Sequence, residues 1–277
     1  MGSDSIGITI TSRRNKKIVE ARKLKRRLHR EEKKRFLLEG IRGIEEALNT
    51  GARIYEVLIS PYLFRNARGS KLYERLVDAG VEIHGVTGEV LEFVADTETP
   101  QGIVAIVGFP DLRPALHGTP LVMLAYEIRD PGNLGTLIRS ADAFGLAGII
   151  LSGDVVDPFN AKCIRATMGS IFRVPLMSFD RVEDSIEFLK RQGFSIVAAD
   201  VNAKTLSYDY DFRGKCGILL GSESHGLPRE VVRLCDALVS IPMIGDAESL
   251  NAAVAGSVLM YEAYRQRQSE DKALYCP

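Results

Sequence analysis

The sequence lacks the features of membrane, secreted and zinc-clustered proteins. No run approaches the roughly 18 apolar residues of a membrane-spanning helix, and the N-terminus has no apolar core like that of a signal peptide. Cysteine is scarce: Cys163, Cys216, Cys235 and Cys276 are widely spaced and form no Cys-x-x-Cys pair. That spacing argues against a zinc cage or a disulfide framework and fits the reducing cytoplasm, where we expect the protein to work.

A net charge is lacking too, but the charges are unevenly distributed. The formal charge of the 277 residues is zero, whereas residues 13–35 contain thirteen Lys or Arg and three Glu, a local net charge of +10. A basic arm on a mildly acidic body is typical of nucleic-acid binding. The alternative is a solvated basic tail. We assign residues 1–35 to this arm, and the first dozen of them show no periodic pattern.

Within the arm, Ile18, Ala21, Leu24 and Leu28 form a narrow apolar stripe on an otherwise basic helix. The stripe is expected to rest on the protein while the cations face outward to nucleic-acid phosphates. Such contacts give salt-dependent affinity without reading the base sequence. The cations predicted to contact nucleic acid are Arg13, Arg14, Lys16, Lys17, Arg22, Lys23, Lys25, Arg26 and Arg27.

Residues 36–108 are predicted to form a small α/β domain, because helical and strand patterns alternate along them. The first pattern has helical spacing at Leu37, Ile41, Ile44 and Leu48. The segment lacks the residue types expected of a catalytic site. It is therefore interpreted as a binding domain or a structural one.

A segment rich in proline and turn residues, 109–120, is the best candidate for a linker. Beyond it, short apolar strands alternate with helices through residues 121–265, and residues 266–277 form a tail. This alternation predicts a mostly parallel sheet covered on both faces. In open sheets of that kind, ligands lie beyond the carboxyl ends of the strands.

Three polar loops follow strands of this predicted sheet, and the first begins after Tyr126. In it Asn133 is predicted to cap the helix that carries Arg139, and amide groups at the helix start could bind a phosphate. A plain cap and a surface ion pair are the alternatives for these two residues. The loop lacks the Gly-x-Gly-x-x-Gly pattern, which disfavours a nicotinamide site and a classical methyltransferase site.

The second and third loops follow Leu220 and Ile241. In the second, the carboxylate of Glu223 lies between glycines and could orient a ligand, or it could simply be solvated. His225 has no obvious partner for nucleophilic chemistry. The third loop leads into a helix that Ser249 or Asn251 is expected to cap. The small residues that permit close approach on this helix are Ala252, Ala253, Ala255 and Gly256.

Taken in order, three segments resemble the motifs of the SpoU (TrmH-type) RNA ribose methyltransferases of the SPOUT superfamily. They are Asn-Leu-Gly-Thr-Leu-Ile-Arg-Ser-Ala-Asp-Ala-Phe-Gly, Gly-Ser-Glu-Ser-His-Gly-Leu, and Ile-Pro-Met followed by Ser-Leu-Asn. The resemblance covers roughly residues 121–265. Residues 36–108 are similar to the ribosomal-protein-L30e-like substrate-binding domain of some members.

The resemblance implies an α/β fold: a knotted, mostly parallel SPOUT catalytic domain preceded by the small L30e-like domain. It implies methyl transfer from S-adenosylmethionine to a ribose 2′-oxygen of RNA, a homodimer and no metal. The small-residue helix face would pack through the knot or against the partner subunit. The implied catalytic residues are Asn133, Arg139, Glu223, Ser249 and Asn251, and the implied cofactor-binding residues are Gly221, Ile241, Met243 and Leu250.

For the substrate, the basic arm and the L30e-like domain both favour structured RNA, with 23S ribosomal RNA ahead of transfer RNA. A housekeeping modification and protection against a ribosome-targeting antibiotic are both compatible with the sequence. A non-catalytic RNA-binding protein and an unrelated α/β nucleotide-binding enzyme are the alternatives from other classes. The intact polar motif residues disfavour the first of these, and the missing phosphate-loop glycine pattern disfavours the second.

Overall fold

A computed structural model of the chain describes residues 8–117, 121–222 and 226–268. They divide into two compact units: one runs to Pro110 and adds Phe159–Phe172, and the other comprises Asp111–Pro158 and the chain from Arg173. No helix within the described ranges has the length and apolar character needed to cross a membrane.

The regular elements follow one another as strands and helices in alternation through most of the chain. In chain order the strands are β1 (Ile8–Ile10), β2 (Arg35–Glu39), β3 (Ile54–Ile59), β4 (Glu82–Val86), β5 (Ile103–Gly108), β6 (Leu121–Tyr126), β7 (Gly148–Ser152), β8 (Leu176–Phe179), β9 (Ser195–Ala199), β10 (Thr205–Leu206), β11 (Cys216–Leu220) and β12 (Ala237–Ser240). The α-helices are α1 (Lys16–Lys23), α2 (Arg27–Lys33), α3 (Ile41–Asn49), α4 (Ala67–Asp78), α5 (Gly88–Val94), α6 (Pro131–Ala143), α7 (Ala161–Thr167), α8 (Val182–Arg191), α9 (Arg229–Val232) and α10 (Ala252–Gln268). Short 3₁₀ helices span Pro61–Arg65 and Ser170–Phe172.

The described strands of the first unit form a mixed five-stranded sheet in the order β1-β4-β3-β5-β2. The strands β1, β4 and β3 are parallel, while β5 is antiparallel to both of its neighbours. The strand β1 lies within the first dozen residues, where the sequence shows no periodic pattern.

The basic segment is part of the first unit rather than a separate arm. Ile18, Ala21 and Leu24 of α1 and the turn after it are buried in one hydrophobic cluster with residues of α5 and the sheet. The predicted apolar stripe is therefore confirmed for these three. The prediction is wrong for Leu28, which is 81% exposed. The chain turns after Leu24 and a second helix starts at Arg27, so the helical spacing is interrupted before Leu28.

The predicted helix through Leu37 and Ile41 contains a strand and a helix. Leu37 lies in β2, where it pairs with Ile106 of β5, and only the residues from Ile41 onward are helical. Gly40 separates the two elements with φ of 89°, a backbone conformation that side-chain-bearing residues rarely adopt. Sequence spacing missed this boundary because a buried strand and a buried helix face both supply apolar residues.

Residues 159–172 belong to the first unit, although they lie within the segment predicted for the second. The physical reason is an aromatic cluster in the first unit. The ring of Phe159 stacks on Phe109 with centroids 3.7 Å apart and lies 5.2 Å from Phe36, while Phe172 lies 6.1 Å from Phe36. The observed units therefore differ from the predicted domains in two places. Residues 159–172 belong to the first unit, and no boundary between units falls at residue 35.

The second unit contains a seven-stranded sheet in the order β10-β12-β9-β11-β6-β7-β8. Every neighbouring pair is parallel, which confirms the prediction of a mostly parallel sheet. The strands β8 and β10 were not predicted, since each is short and only partly buried. The carboxyl ends of all these strands lie at one edge of the sheet. The implied knot stays a prediction.

Candidate active site

A cavity of about 590 Å³ lies at the carboxyl ends of three adjacent strands, β12, β9 and β11. This is the edge at which parallel α/β sheets bind ligands. The cavity is lined by Ala199, Asp200, Val201, Asn202, Leu220, Gly221, Ser222, Gly226, Leu227, Val239, Ile241, Met243, Ser249, Leu250, Asn251, Ala252 and Ala255. It therefore brings together Gly221, Ile241, Met243 and Leu250, the four predicted cofactor residues, with Ser249 and Asn251.

The loop after β11 is closed by a short bridge. The Ser222 N–H donates to the Gly226 carbonyl at 3.2 Å, and the Gly226 N–H donates back at 3.0 Å. A Cβ on Gly221 would lie only 2.5 Å from the Gly226 carbonyl carbon, so the close approach of the two backbones requires glycine there. Glu223 and His225 lie outside the described residues.

The structure of the third loop shows which of the two candidates, Ser249 or Asn251, caps the helix. Asn251 Oδ1 accepts the backbone N–H groups of Ala253 and Val254, at 2.9 and 3.3 Å, so Asn251 caps α10 and Ser249 does not. Ser249 is exposed, while Leu250 is half-buried beside it in the cavity wall. The segment between β12 and α10 thus presents an apolar side and a polar one to the cavity.

In the first loop the predicted cap is wrong. Asp130 caps α6, because its carboxylate accepts the Asn133 N–H at 2.8 Å. Asn133 lies inside the first turn of the helix, and its Oδ1 accepts a hydrogen bond from Asn251 Nδ2 at 3.0 Å. That bond joins residues 118 positions apart. It brings the first and third polar loops together at the cavity that Asn251 lines.

Arg139 lies further along α6, exposed and outside the lining of the cavity. Within the described ranges its guanidinium forms no ion pair and no side-chain hydrogen bond. The alternative of a surface ion pair for Arg139 is therefore not supported by the described part of the chain. An exposed guanidinium can bind an anion such as a phosphate.

The helices α6 and α10 pack closely, which explains part of the small-residue face. A Cβ on Gly256 would lie 2.5 Å from Leu137 Cδ2 and 3.2 Å from Leu220 Cδ2. Beside this contact, the hydroxyls of Ser140 and Ser257 are hydrogen-bonded at 2.7 Å. Gly256 thus serves packing within the second unit. This contact also sets the position of Asn133 relative to Asn251.

Two polar residues of the cavity wall lie outside the three motif loops and were not predicted. Asp200 and Asn202 follow β9, and the Asp200 carboxylate accepts the Asn202 N–H at 2.8 Å. The order of the strands in the sheet indicates these two residues. Their strand, β9, lies between β12 and β11, and the loops after both of those strands were predicted to carry site residues. Strand order in the sheet is a property of the tertiary fold that periodicity does not reveal.

The nine cations predicted to contact RNA fall into three groups. Four of them pair with carboxylates of the first unit, and Arg13 and Arg22 lie over the ring of Phe93. The paired cations are Lys17 with Glu56 and Glu82, Lys23 with Glu20, Lys25 with Asp96, and Arg27 with Glu31. In the part of the chain that the structure describes, the side chains without a partner are Arg14, Lys16 and Arg26.

The first unit also holds a cluster with the chemistry of metal ligands, formed by Glu56, Glu82 and His84. The Lys17 ammonium lies 3.1 Å from Glu56 Oε2 and 3.0 Å from Glu82 Oε1. This pairing raises the pKa of Lys17, mainly through the hydrogen bond to Glu82. The Lys17 ammonium therefore already bridges the two carboxylates, which also contact His84, and the cluster is an ion-pair network.

An all-parallel sheet with a ligand cavity at its carboxyl edge defines an α/β ligand-binding unit of the enzyme type. The model of the SpoU rRNA methylase family matches residues 120–261, more than half of the chain. The chain belongs to this family. An MRM3-like substrate-binding domain matches residues 15–105, a range that includes most of the basic segment.

Similar proteins span nearly the whole chain. The 23S rRNA (guanosine(2553)-2′-O)-methyltransferase RlmP of Bacillus subtilis is 29% identical over 91% of this chain and 97% of its own. The AdoMet-bound rRNA methyltransferase of Sinorhizobium meliloti is 32% identical, with a TM-score of 0.80 over 92% of this chain and 97% of that one. The expected family and fold are thereby confirmed, and the chain is an S-adenosylmethionine-dependent RNA methyltransferase.

A smaller relative aligns with one part of the chain only. A solved structure concerned with the 2-OH methylation of C/U34 on tRNA is 34% identical, with a TM-score of 0.51. The alignment covers 97% of that chain but only 54% of this one. About half of the present chain therefore has no counterpart in that protein.

Proposed function

We propose that the protein transfers the methyl group of S-adenosylmethionine to a ribose 2′-hydroxyl of 23S ribosomal RNA. The observation that carries the proposal is the hydrogen bond between Asn133 and Asn251, which joins the first and third family motifs at the cavity. The relatives from Bacillus subtilis and Sinorhizobium meliloti, which align with both units, are named as rRNA methyltransferases. The relative that acts on tRNA aligns with about half of the chain.

The cavity has the size and lining that the cofactor requires. Its volume of about 590 Å³ lies within the range of about 300–1,000 Å³ typical of small-molecule sites. Leu220, Ile241 and Leu250 offer apolar surface to an adenine ring, while Asp200 and Asn202 offer polar groups to ribose hydroxyls or an amino group. When bound, S-adenosylmethionine supplies an electrophilic methyl carbon.

The protein's own task is to position and polarise the attacking 2′-oxygen. A ribose hydroxyl is a weak nucleophile, and it loses its proton during or after attack. Arginine side chains stay protonated in proteins, so we assign Arg139 to polarising the oxygen and gripping the neighbouring phosphate. Asn133 orients the ribose or Arg139, Ser249 and Asn251 shape the pocket, and Glu223 holds a loop or Arg139. Met243 and Gly221 complete the cofactor wall.

The Arg139→Ala variant tests this assignment. We expect it to abolish methyl transfer, measured with radiolabelled cofactor, while calorimetry gives the wild-type affinity for S-adenosylmethionine because Arg139 lies outside the cavity lining. Arg233, an exposed arginine that lies between the second and third motif loops in sequence and outside the cavity lining, provides the control variant Arg233→Ala. Wild-type turnover in Arg139→Ala contradicts the assignment.

The substrate is tested by offering wild-type protein ribosomal and transfer RNA separately. We expect label in large-subunit ribosomal RNA, and a reverse-transcription stop at one 2′-O-methylated nucleotide. Label in transfer RNA alone contradicts the proposed substrate. Because ribosomal RNA is the proposed substrate, the cytoplasm is the proposed location.

The proposal includes a homodimer. Val254, Val258 and Tyr261 lie on one side of α10 at helical spacing and are exposed. An apolar stripe of this kind is typical of a surface that a second subunit covers. Light scattering on the eluting protein is expected to give twice the mass of the chain, and replacing Val258 by Glu is expected to give monomers.

A further inference from the structure

A second cavity lies within the first unit, apart from the residues of the candidate active site. Its volume is about 340 Å³, and its lining includes Arg42 at the start of α3, Gln101 before β5, and Arg165 and Met168 of the segment 159–172. This volume is at the lower end of the range for ligand sites, which suits a single nucleotide and excludes a duplex.

Two cations on this cavity are available for an anionic ligand. Arg42 and Arg165 come from different elements, both are exposed, and neither has a side-chain partner within the described ranges. By contrast, Arg68 of the same unit forms a bidentate pair with Glu45. A guanidinium grips phosphate oxygens through two parallel N–H groups, so two unpaired guanidiniums on one cavity favour a phosphate.

The carboxylate in the cavity wall is held by donors of the first unit. Glu39 accepts the backbone N–H and the hydroxyl of Thr97, at 3.3 and 2.8 Å, and also the Asp96 N–H. These bonds turn its oxygens toward the backbone of the loop after α5. Its negative charge is thus partly compensated, and the two arginines outweigh it.

The remaining lining suits a nucleobase. Gln101 Oε1 accepts the Ile41 N–H at 2.9 Å, and because only the oxygen can accept, the Gln101 NH₂ group is left as a donor. Met168 supplies apolar surface: it is 37% exposed and has φ of 51°, in the left-handed region that non-glycine residues rarely adopt. The adjoining Gly169 has φ of 97°, and a Cβ there would meet Glu46 Cγ at 2.7 Å.

We propose that this cavity binds one unpaired nucleotide of the RNA substrate, with its phosphate held by Arg42 and Arg165 and its base against Met168 and the Gln101 amide. The inference rests on the proposed function, because it assumes an RNA substrate. It adds a contact that anchors RNA on the first unit independently of the cofactor cavity.

The test compares the Arg42→Ala/Arg165→Ala double variant with wild-type protein and with Lys71→Ala. Lys71 is an exposed cation of α4 that lies outside the cavity lining, so this variant controls for loss of charge on the first unit. We expect the Kd for a large-subunit rRNA fragment to rise roughly tenfold or more in the double variant. The slope of log Kd against log salt should fall by roughly one, as for the loss of a phosphate contact.

Three further measurements separate this role from a structural one. The double variant should bind S-adenosylmethionine with wild-type affinity and keep its kcat at saturating RNA, while its KM for RNA rises. Replacing both arginines by lysine keeps the charge but loses the planar fork, and should restore only part of the affinity. RNA carrying 4-thiouridine should photo-crosslink to the peptide that contains Met168 in wild-type protein but not in the double variant.

The outcomes also separate this inference from the proposed function. If wild-type protein binds rRNA and methylates it, but the double variant keeps the wild-type Kd, salt slope and crosslink, the nucleotide site is wrong and the proposed function stands. If wild-type protein neither binds nor methylates RNA, both are wrong.

Discussion

At the scale of single residues, Asn251 has two roles: it caps a helix, and it contacts Asn133 at the candidate site. Its Oδ1 caps α10, while its Nδ2 donates to Asn133 at 3.0 Å. A side-chain amide can do both because it carries an acceptor and a donor on one planar group. The helix cap therefore also fixes the geometry between the two motifs.

The two roles of Asn251 can be separated by substitution. Serine caps a helix about as well as asparagine but is too short to reach Asn133, whereas alanine can do neither. From urea unfolding, we expect the free energy of unfolding of Asn251→Ser to lie within a few tenths of a kcal/mol of the wild-type value. That of Asn251→Ala should be lower by about 1 kcal/mol. Both should lose most of the methyl transfer. A fully active Asn251→Ser variant contradicts a catalytic role for the bond to Asn133.

At the scale of elements, the sequence predicted most helices and strands of the second unit because their apolar runs are short and bounded by turn residues. The predicted alternation of short strands and helices through residues 121–265 is observed, from β6 to α10. The failures have a common cause. Leu37 is in a strand because it pairs with β5, and residues 159–172 belong to the first unit because they pack against Phe36. Such tertiary contacts leave no local pattern in the sequence.

The candidate site was predictable to a similar extent. Residues in motifs, such as Ile241 and Leu250, could be named because a family resemblance carries them, and the structure brings them to one cavity. Asp200 and Asn202 belong to no motif and needed the strand order. The capping role of Asp130 was missed because Asp and Asn are comparable caps three residues apart, so the sequence does not distinguish them.

The contact between α6 and α10 leads to a prediction at this scale. A methyl group at position 256 would overlap Leu137 Cδ2, so Gly256→Ala should destabilise the protein by about 1–3 kcal/mol, as overpacked cores do. Shortening the opposing side chain makes room for the methyl group. We therefore expect Gly256→Ala to cost clearly less in a Leu137→Ala background, which urea unfolding of the four proteins in a double-mutant cycle measures. Strict additivity of the two changes would show that these residues do not determine the contact.

At the scale of the whole molecule, the zero net charge hides a basic segment that is folded into the first unit. Because Ile18, Ala21 and Leu24 are core residues, deleting residues 1–35 would disrupt the unit and could not report on RNA binding alone. The cations of the basic segment must instead be replaced by substitution, one set at a time. The ion pairs of this segment make such a test possible, since they divide its cations into paired and unpaired sets.

Two triple variants remove the same formal charge from the same surface. One replaces Arg14, Lys16 and Arg26 by glutamine, and the other replaces Lys17, Lys23 and Arg27, which are paired with carboxylates. Unpaired cations can release counterions from RNA phosphates, so the first variant should lower the slope of log Kd against log salt by about two for unpaired RNA. Paired cations must first leave their carboxylates, so the second variant should lower the slope much less. Equal slopes in the two variants, measured by fluorescence anisotropy between low and physiological salt, would mean that the segment acts on RNA only through its total charge.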